Sequence, residues 1–151
     1  MTEAEHPPVR RWGELPEDES ELARRGFEAW QAGELDDAYE YLSLLREHAA
    51  NGGTRDALFH AVHLLAVVEF DRQDPATART LHEEVLTMCH AIGFLGGTGS
   101  TLFDLAMIDR SEGDTVVALR RFEEARVAFA KGGYSDRLAL VDRAIASLRG
   151  A

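Results

Sequence analysis

The sequence predicts an all-α fold in which three helix hairpins are followed by a single last helix. Several positions repeat with a period of 40 residues, and such self-similarity is the signature of repeat architectures. Apolar residues also recur at three- and four-residue spacing, which is typical of amphipathic helices. The positions that show the period most clearly are Ala38, Ala78 and Ala118, and Gly53, Gly93 and Gly133.

Residues 1–19 precede the first repeat and are predicted to be an extended or disordered arm. They contain three prolines and show no helical periodicity. Trp12 is the one aromatic residue of this arm, and its environment is left open: either it packs on the body of the protein or it stays exposed. The repeat domain is predicted over residues 20–151.

Seven helices are predicted, and short connections make each pair an antiparallel hairpin. Asp74-Pro75 supplies an N-cap with a first-turn proline, and Asp114 repeats the cap. The glycine pair Gly132-Gly133 is typical of a helix end, and the glycine-rich residues 93–100 are interpreted as an extended turn between repeats. The predicted helices are 20–33, 35–50, 54–72, 75–92, 98–112, 115–131 and 135–149. The repeats are about 20–53, 54–93 and 94–133, with a cap over 134–151.

Composition limits the classes of function. The formal net charge is −11, from 27 acidic and 16 basic residues, so phosphate backbones would be repelled and nucleic-acid binding is not predicted. The longest apolar run, 61–68, is far shorter than the roughly 20 residues that span a bilayer, so no membrane role is predicted. One cysteine, Cys89, excludes an intramolecular disulfide, and the start of the sequence lacks a signal peptide, which favours the cytoplasm.

The predicted hairpins resemble tetratricopeptide repeats, over about residues 20–149. The first hairpin has the family's small residue, aromatic residue and Gly-Glu turn, whereas Gln73 replaces the turn glycine in the second and His82 replaces its usual aromatic residue. The resemblance implies a tetratricopeptide-like right-handed superhelix, an α-α solenoid, with a C-terminal capping helix. The period of 40 exceeds the 34 residues typical of the family, which implies longer helices and, by analogy with bacterial regulators, a regulatory role. Residues that carry the resemblance include Gly26, Phe27, Trp30, Gly33, Glu34 and Ala38, and then Ala106, Gly113, Asp114, Ala118 and Phe122.

The resemblance also implies a groove for partners, because in this family the first helix of each hairpin lines the concave face. An aromatic and mildly basic groove suits an apolar helix or an extended peptide. The alternative is that several of these residues belong to the core or are covered by the arm. Lys and Asn of the family's carboxylate clamp are missing at the matching positions, Ala23 among them. The predicted groove residues are Phe27, Trp30, His60, His63, Val67, Phe70, Phe103, Met107 and Arg110.

Three sets of residues offer other chemistry, and each has a simpler interpretation. His60, His63 and His82 suggest a metal cluster, but His82 is expected to face away from the groove, so no metal site is predicted. Neighbouring histidines titrate near neutrality, so a pH-sensitive groove stays open. Glu69 and Asp109 suggest paired carboxylates for acid–base catalysis, yet such acids more often pair with arginines such as Arg72 or Arg110.

The function predicted from the sequence is a non-enzymatic scaffold or adaptor that binds a protein or peptide in the groove, with no cofactor. A small-ligand or signal-peptide sensor that regulates a partner protein is the main alternative, and an enzyme that uses Glu69 and Asp109 is the third. Cys89 is expected to be a buried thiol rather than a nucleophile, because neighbouring helical residues such as Cys89 and His90 do not face each other. Monomer and homodimer both stay open.

Overall fold

A computed structural model of the chain describes residues 1–150. These residues form seven α-helices, preceded by one short 3-10 helix, and they contain no strand. The predicted all-α fold is therefore confirmed. The helices are α1 (Glu17–Gln31), α2 (Leu35–Ala50), α3 (Arg55–Asp71), α4 (Pro75–Ile92), α5 (Leu95–Ser111), α6 (Thr115–Gly132) and α7 (Ser135–Arg149), and the 3-10 helix is Trp12–Glu14. Within residues 1–150, no helix combines the length and apolar character needed to cross a membrane.

Turn chemistry recurs with the 40-residue period. Gly33 follows α1 with φ of 77°, Gly113 follows α5 with φ of 82°, and Gln73 takes the same place after α3 with φ of 66°. Left-handed backbone costs little for glycine and more for other residues. Gln73 therefore adopts the conformation that the repeat demands without having the residue that suits it.

Side-chain caps begin three of the helices. Thr54 accepts a hydrogen bond from the backbone N–H of Ala57 at the start of α3. Asp74 accepts one from Thr77 at 3.1 Å, and Asp114 accepts one from the Val117 N–H at 3.3 Å. These bonds satisfy N–H groups that have no partner inside the helix, which explains why helix boundaries near residues 54, 74 and 114 agree with the prediction.

Two compact units divide the chain, and their boundary falls inside α4. One unit comprises residues 9–85. In it, Gly26 of α1 lies directly against Leu42 of α2, and a Cβ atom added at Gly26 would come 2.6 Å from the Leu42 side chain. The small residue thus lets the two helices of the first hairpin approach closely. The core of this unit includes Leu15, Ala23, Leu45, Ala49, Ala57 and Ala61.

The second unit contains residues 1–8 together with the described residues from 86 onward. Phe122 and Phe129 of α6 are buried at its centre, and α7 packs Val141 and Ile145 against them. Leu138 and Leu148 of α7 also pack against this core, so the predicted capping helix covers the apolar side of α6.

Helix α5 begins three residues before its predicted start, and the interpretation of 93–100 as an extended turn is wrong from Leu95 onward. Gly97 and Gly99 lie inside the helix and are buried. An added Cβ would come 2.5 Å from the Cys89 sulfur at Gly97 and 2.6 Å from the Phe129 ring at Gly99. Close packing, rather than a turn, accounts for these glycines.

The first turn of α5 is capped by a residue far away in the sequence. The Glu3 carboxylate accepts hydrogen bonds from the N–H groups of Leu95 at 2.8 Å and Gly96 at 2.7 Å, and a third from the Tyr134 hydroxyl at 2.8 Å. A carboxylate is favoured at a helix N-terminus because it satisfies free N–H groups and the helix dipole. This contact explains how α5 begins without a capping side chain of its own.

Candidate functional site on helices α1 and α3

Six of the predicted groove residues lie on α1 and α3, in the unit of residues 9–85. All six are half-buried, and those of α3 are three or four positions apart, so they share one side of the helix. We call this surface the α1/α3 face. Ala23, which the family pattern also assigns to the groove, is fully buried and belongs to the core instead. The α1/α3 face consists of Phe27, Trp30, His60, His63, Val67 and Phe70.

Aromatic side chains connect the two helices across this face. The rings of Phe27 and Trp30 are 5.7 Å apart. The indole N–H of Trp30 donates a hydrogen bond of 2.6 Å to Asp71 at the end of α3. Trp30 therefore has its polar atom satisfied and its ring half-exposed, as is common for tryptophan at protein interfaces.

The arm packs on the same unit. Residues 9–15, which we call the arm segment, bury Val9 and Leu15, which are 4% and 6% exposed. Trp12 lies with its ring centre 5.9 Å from that of Phe27 and packs on the core of this unit. Residues 12–14 form the 3-10 helix, and α1 begins at Glu17 rather than at residue 20.

Arg10 is the polar anchor of the arm segment. Its backbone N–H donates to Asp56 at 3.0 Å, and its carbonyl accepts from His60 Nε2 at 2.6 Å. A carbonyl can only accept, so His60 carries its proton on Nε2. Asp56 and His60 are one turn apart on α3 and thus hold both polar backbone groups of a single residue. The Arg10 side chain adds a third bond, from Nε to Asp56 at 3.1 Å.

Electrostatics favour this arrangement. Burial alone would raise the pKa of Asp56, but hydrogen bonds from the Arg10 backbone and from the side chains of Arg55 and Arg10 outweigh it and lower the pKa. Burial lowers the pKa of His60, and the Arg10 carbonyl opposes that shift. Near neutral pH, an ionised Asp56 and a neutral His60 therefore face the arm segment.

His63 and His82 meet, contrary to the expected separation of their faces. Their ring centres are 6.2 Å apart, in an edge-to-face arrangement. His82 is 2% exposed, and its Nδ1 has no hydrogen-bond partner among the described residues. Burial and the neighbouring His63 lower the pKa of His82 to about 3, so His82 is neutral at physiological pH. The prediction failed because helical periodicity gives the direction of a side chain around its own helix and not its reach toward the next one.

Comparison with known proteins agrees with this architecture. The tetratricopeptide repeat family matches residues 58–128. The solved structure of SycD, a type III secretion translocator chaperone of Yersinia enterocolitica, aligns with a TM-score of 0.70 over 91% of this chain and 88% of that one, at 14% sequence identity. The chain has a tetratricopeptide-like helical-repeat fold. No curated protein matches the sequence significantly.

The remaining three predicted groove residues of the tetratricopeptide-like chain lie on α5, in the other unit. Phe103 and Met107 pack against the core of that unit, and the ring centre of Phe103 is 5.2 Å from that of Phe122. Arg110 is half-buried in the last turn of α5. Phe103 and Met107 thus have a packing role within their own unit.

The two acids considered for catalysis pair with arginines in the tetratricopeptide-like fold. Glu69 is 7% exposed and accepts from Arg72 at 3.0 Å. Asp109 is 3% exposed and accepts from Arg121 at 2.8 Å. Such pairs neutralise buried charge. Both contacts agree with a structural role for these carboxylates.

Cys89 has the properties of a buried structural thiol. It is fully buried, and burial together with the nearby Glu3 raises its pKa to about 12. A thiol with a raised pKa is a poor nucleophile because the thiolate is the reactive form.

Asp104 of α5 is a titratable residue that the sequence analysis does not single out. Burial raises its pKa to about 7, and Arg137 acts in the opposite direction.

The unit of residues 9–85 also contains an open cleft that the sequence did not indicate. It has a volume of about 870 Å³ and lies among α2, α3 and α4. Two of its cations are engaged with acids: Arg46 with Glu84 at 2.8 Å and Arg72 with Glu69 at 3.0 Å. The charges that line this cleft are therefore largely compensated within the protein.

Proposed function

We propose that this protein is a non-enzymatic scaffold that binds a segment of another protein on the α1/α3 face. The observation that carries the proposal is the arm segment, which packs against Phe27 through Trp12 and hydrogen-bonds with His60 through Arg10. The face thus already accommodates an irregular stretch of polypeptide. Binding of extended segments in a groove is a recurring mode of protein recognition.

The chemistry of the face supports a partner that is apolar with basic residues. Phe27, Trp30 and Phe70 offer half-exposed aromatic rings, which are the residue type enriched at binding hot spots. The formal net charge of −11 attracts cationic segments over a distance and repels acidic ones. We propose that Phe103, Met107 and Arg110, at the equivalent repeat positions of α5, contribute to binding in their own unit.

Affinity capture from the source cell lysate tests the proposal. The wild-type chain is compared with a Trp30→Ala/Phe70→Ala variant, and captured proteins are measured by quantitative mass spectrometry. Loss of two central aromatic anchors is expected to reduce partner retention about tenfold or more. Circular dichroism establishes that the variant keeps its helices.

The matched control removes apolar side chains elsewhere. Leu44 on α2 and Val116 on α6 are 53% and 80% exposed, so a Leu44→Ala/Val116→Ala variant deletes similar chemistry without touching the face. This control is expected to retain the partner as wild type does. A partner that leaves with the control variant and stays with the Trp30→Ala/Phe70→Ala variant would refute the proposal.

A further inference from the structure

The contact between α3 and the arm segment has the features of a peptide receptor. Asp56 and His60 bind the N–H and the carbonyl of Arg10, so they recognise backbone groups that every residue except proline offers. Arg11, the next residue, is extended with φ of −61° and ψ of 149°. This pattern, in which polar groups hold the main chain and pockets select side chains, is how proteins recognise extended segments.

Side-chain selectivity is added at two positions. The Asp56 carboxylate is 8% exposed and accepts from the Arg10 guanidinium, which is an Arg–carboxylate pair of the charge-assisted type. Two residues further on, Trp12 enters an apolar site beside Phe27, where it packs on the cluster of Ala23, Ala57 and Ala61. An arginine followed two positions later by an aromatic residue therefore fits both sites.

The arm segment contacts this site as a short linear stretch rather than as part of a helix hairpin. It is bounded by Pro8 and Pro16, and half of the Arg10 side chain is still exposed. An occupant tethered to its own site has an effective concentration in the millimolar range, so even a modest intrinsic affinity keeps the site filled. A free segment of higher affinity would displace it by competition.

We propose that Asp56, His60 and Phe27 form a receptor for a short linear protein segment with an arginine two residues before an aromatic residue, and that the arm segment occupies this receptor until a partner displaces it. The inference rests on the proposed function and makes it specific. It identifies the partner by its chemistry: a basic, aromatic linear segment. The arm segment itself is the template for that chemistry.

The test uses the full chain and a labelled peptide with the sequence of residues 7–15, and binding is measured by fluorescence anisotropy. An Arg10→Ala/Trp12→Ala variant removes the two side chains by which the arm competes for the receptor and leaves Asp56, His60 and Phe27 unchanged. We expect this variant to bind the peptide at least about tenfold more tightly than wild type, since wild type must first release its own arm. Equal affinity for wild type and variant would overturn the proposal.

Specificity is tested in the same variant background. Adding Asp56→Asn is expected to weaken peptide binding about tenfold, whereas adding Asp142→Asn, which alters an exposed ion pair with Arg126, leaves it unchanged. A peptide in which glutamate replaces the residue matching Arg10 is expected not to bind. Binding that does not respond to Asp56→Asn, or that tolerates this glutamate, would contradict the assigned receptor.

Two further measurements cover the other outcomes. If the Arg10→Ala/Trp12→Ala variant does not fold, millimolar peptide is added to the wild type instead. We then expect the indole NMR signal of Trp12 to move toward the position it has in the free peptide. A signal that stays fixed overturns the proposal. Sedimentation shows whether the wild type dimerises by exchanging arms. If the wild type forms a dimer and the Arg10→Ala/Trp12→Ala variant does not, the receptor is occupied by the arm of a second copy of this chain. That result would refute the proposal of a different partner protein.

Failure of this inference can be separated from failure of the proposed function. The peptide of residues 7–15 is added to the affinity capture described above as a competitor. If captured proteins depend on Trp30 and Phe70 but are not displaced by the peptide, the α1/α3 face binds partners and only the receptor assignment is wrong. If they do not depend on Trp30 and Phe70, the proposed function itself fails.

Discussion

Gln73 is the residue at which sequence and backbone disagree most clearly. It follows α3 with a φ of 66°, at the position where Gly33 and Gly113 end the corresponding helices of the other repeats. Glutamine has no special ability to adopt left-handed backbone, which costs an ordinary L-residue about 1–2 kcal/mol. The fold tolerates this cost because the turn is fixed by the helices on both sides.

We predict that Gln73→Gly stabilises the protein by about 0.5–1 kcal/mol. Relief of the left-handed conformation exceeds the entropy that glycine loses on folding. The reverse exchange, Gly113→Gln, is the matched control and is expected to destabilise by about 1 kcal/mol. Urea unfolding measures both effects as shifts of the midpoint at constant slope. A destabilised Gln73→Gly variant would show that the glutamine side chain has a role of its own.

His82 is predicted to make the protein sensitive to mild acid. Its pKa is lowered from 6.5 to about 3 in the folded protein, whereas the unfolded chain takes up the proton near pH 6.5. Between these values the unfolded state binds more protons, so the free energy of unfolding falls as the pH drops below 6.5, by at most about 1.4 kcal/mol per pH unit. At pH 7 and above, this effect is absent.

A His82→Leu variant tests this prediction, because leucine fills a similar volume without titrating. Thermal unfolding between pH 7 and pH 4 should show a shallower loss of stability in His82→Leu than in wild type. The exposed His90 supplies the control, since His90→Gln is expected to keep the wild-type slope. Parallel slopes for wild type and His82→Leu would place the acid sensitivity elsewhere.

Among the helices, α5 shows most clearly that packing overrides local propensity. Glycine is a poor helix former, yet Gly96, Gly97 and Gly99 lie in its first two turns. Each is in tight contact with a large neighbour, such as the Phe129 ring beside Gly99. The N-terminal N–H groups of the helix are satisfied by Glu3, 92 positions away from Leu95. Neither the tight packing around these glycines nor the cap by Glu3 can be predicted from the residues near the start of α5.

We predict that Gly99→Ala destabilises the protein by about 1–3 kcal/mol. Alanine improves helix propensity by about 1 kcal/mol, but its Cβ would lie 2.6 Å from the Phe129 ring, which is buried in the core of its unit. A smaller residue at 129 should reduce this cost. Thermal unfolding of Gly99→Ala, Phe129→Leu and the double variant gives the coupling between the two sites. Additive effects would mean that this contact does not limit the packing.

Most helix boundaries could be predicted because their signals are local. Asp74 and Asp114 cap their helices, and Gly133 ends α6 in left-handed backbone with φ of 80°, as their residue types indicate. The sequence predicts the start of α1 three residues too late, because Glu17 lies next to a proline-rich stretch that resembles a loop. Local chemistry thus defines the ends of the helices, and tertiary contacts decide where the signals are ambiguous.

At the scale of the whole molecule, the 40-residue period predicts a repeat of helix hairpins, and the resemblance of the first hairpin to tetratricopeptide repeats predicts the fold that the structure has. The period is less informative about the site. The groove positions implied by the family resemblance include Phe27 and Trp30, which are half-buried on the α1/α3 face. The period could not predict that Asp56 and His60 bind the arm through Arg10, because this contact joins residues 46 to 50 positions apart and the arm lies outside the repeat. A repeat pattern describes what the copies share, whereas this contact belongs to one copy alone.

Site-specific photocrosslinking tests most directly whether partners bind the α1/α3 face. A benzophenone amino acid is placed at Phe70 on the face and, in a second preparation, at Leu44 on α2, which is 53% exposed. Both preparations are irradiated in the source cell lysate, and the adducts are identified by mass spectrometry. We predict a defined protein adduct from position 70 and none of that mass from position 44. An adduct that forms from position 44 alone would contradict the assignment and place the binding surface on the opposite helices.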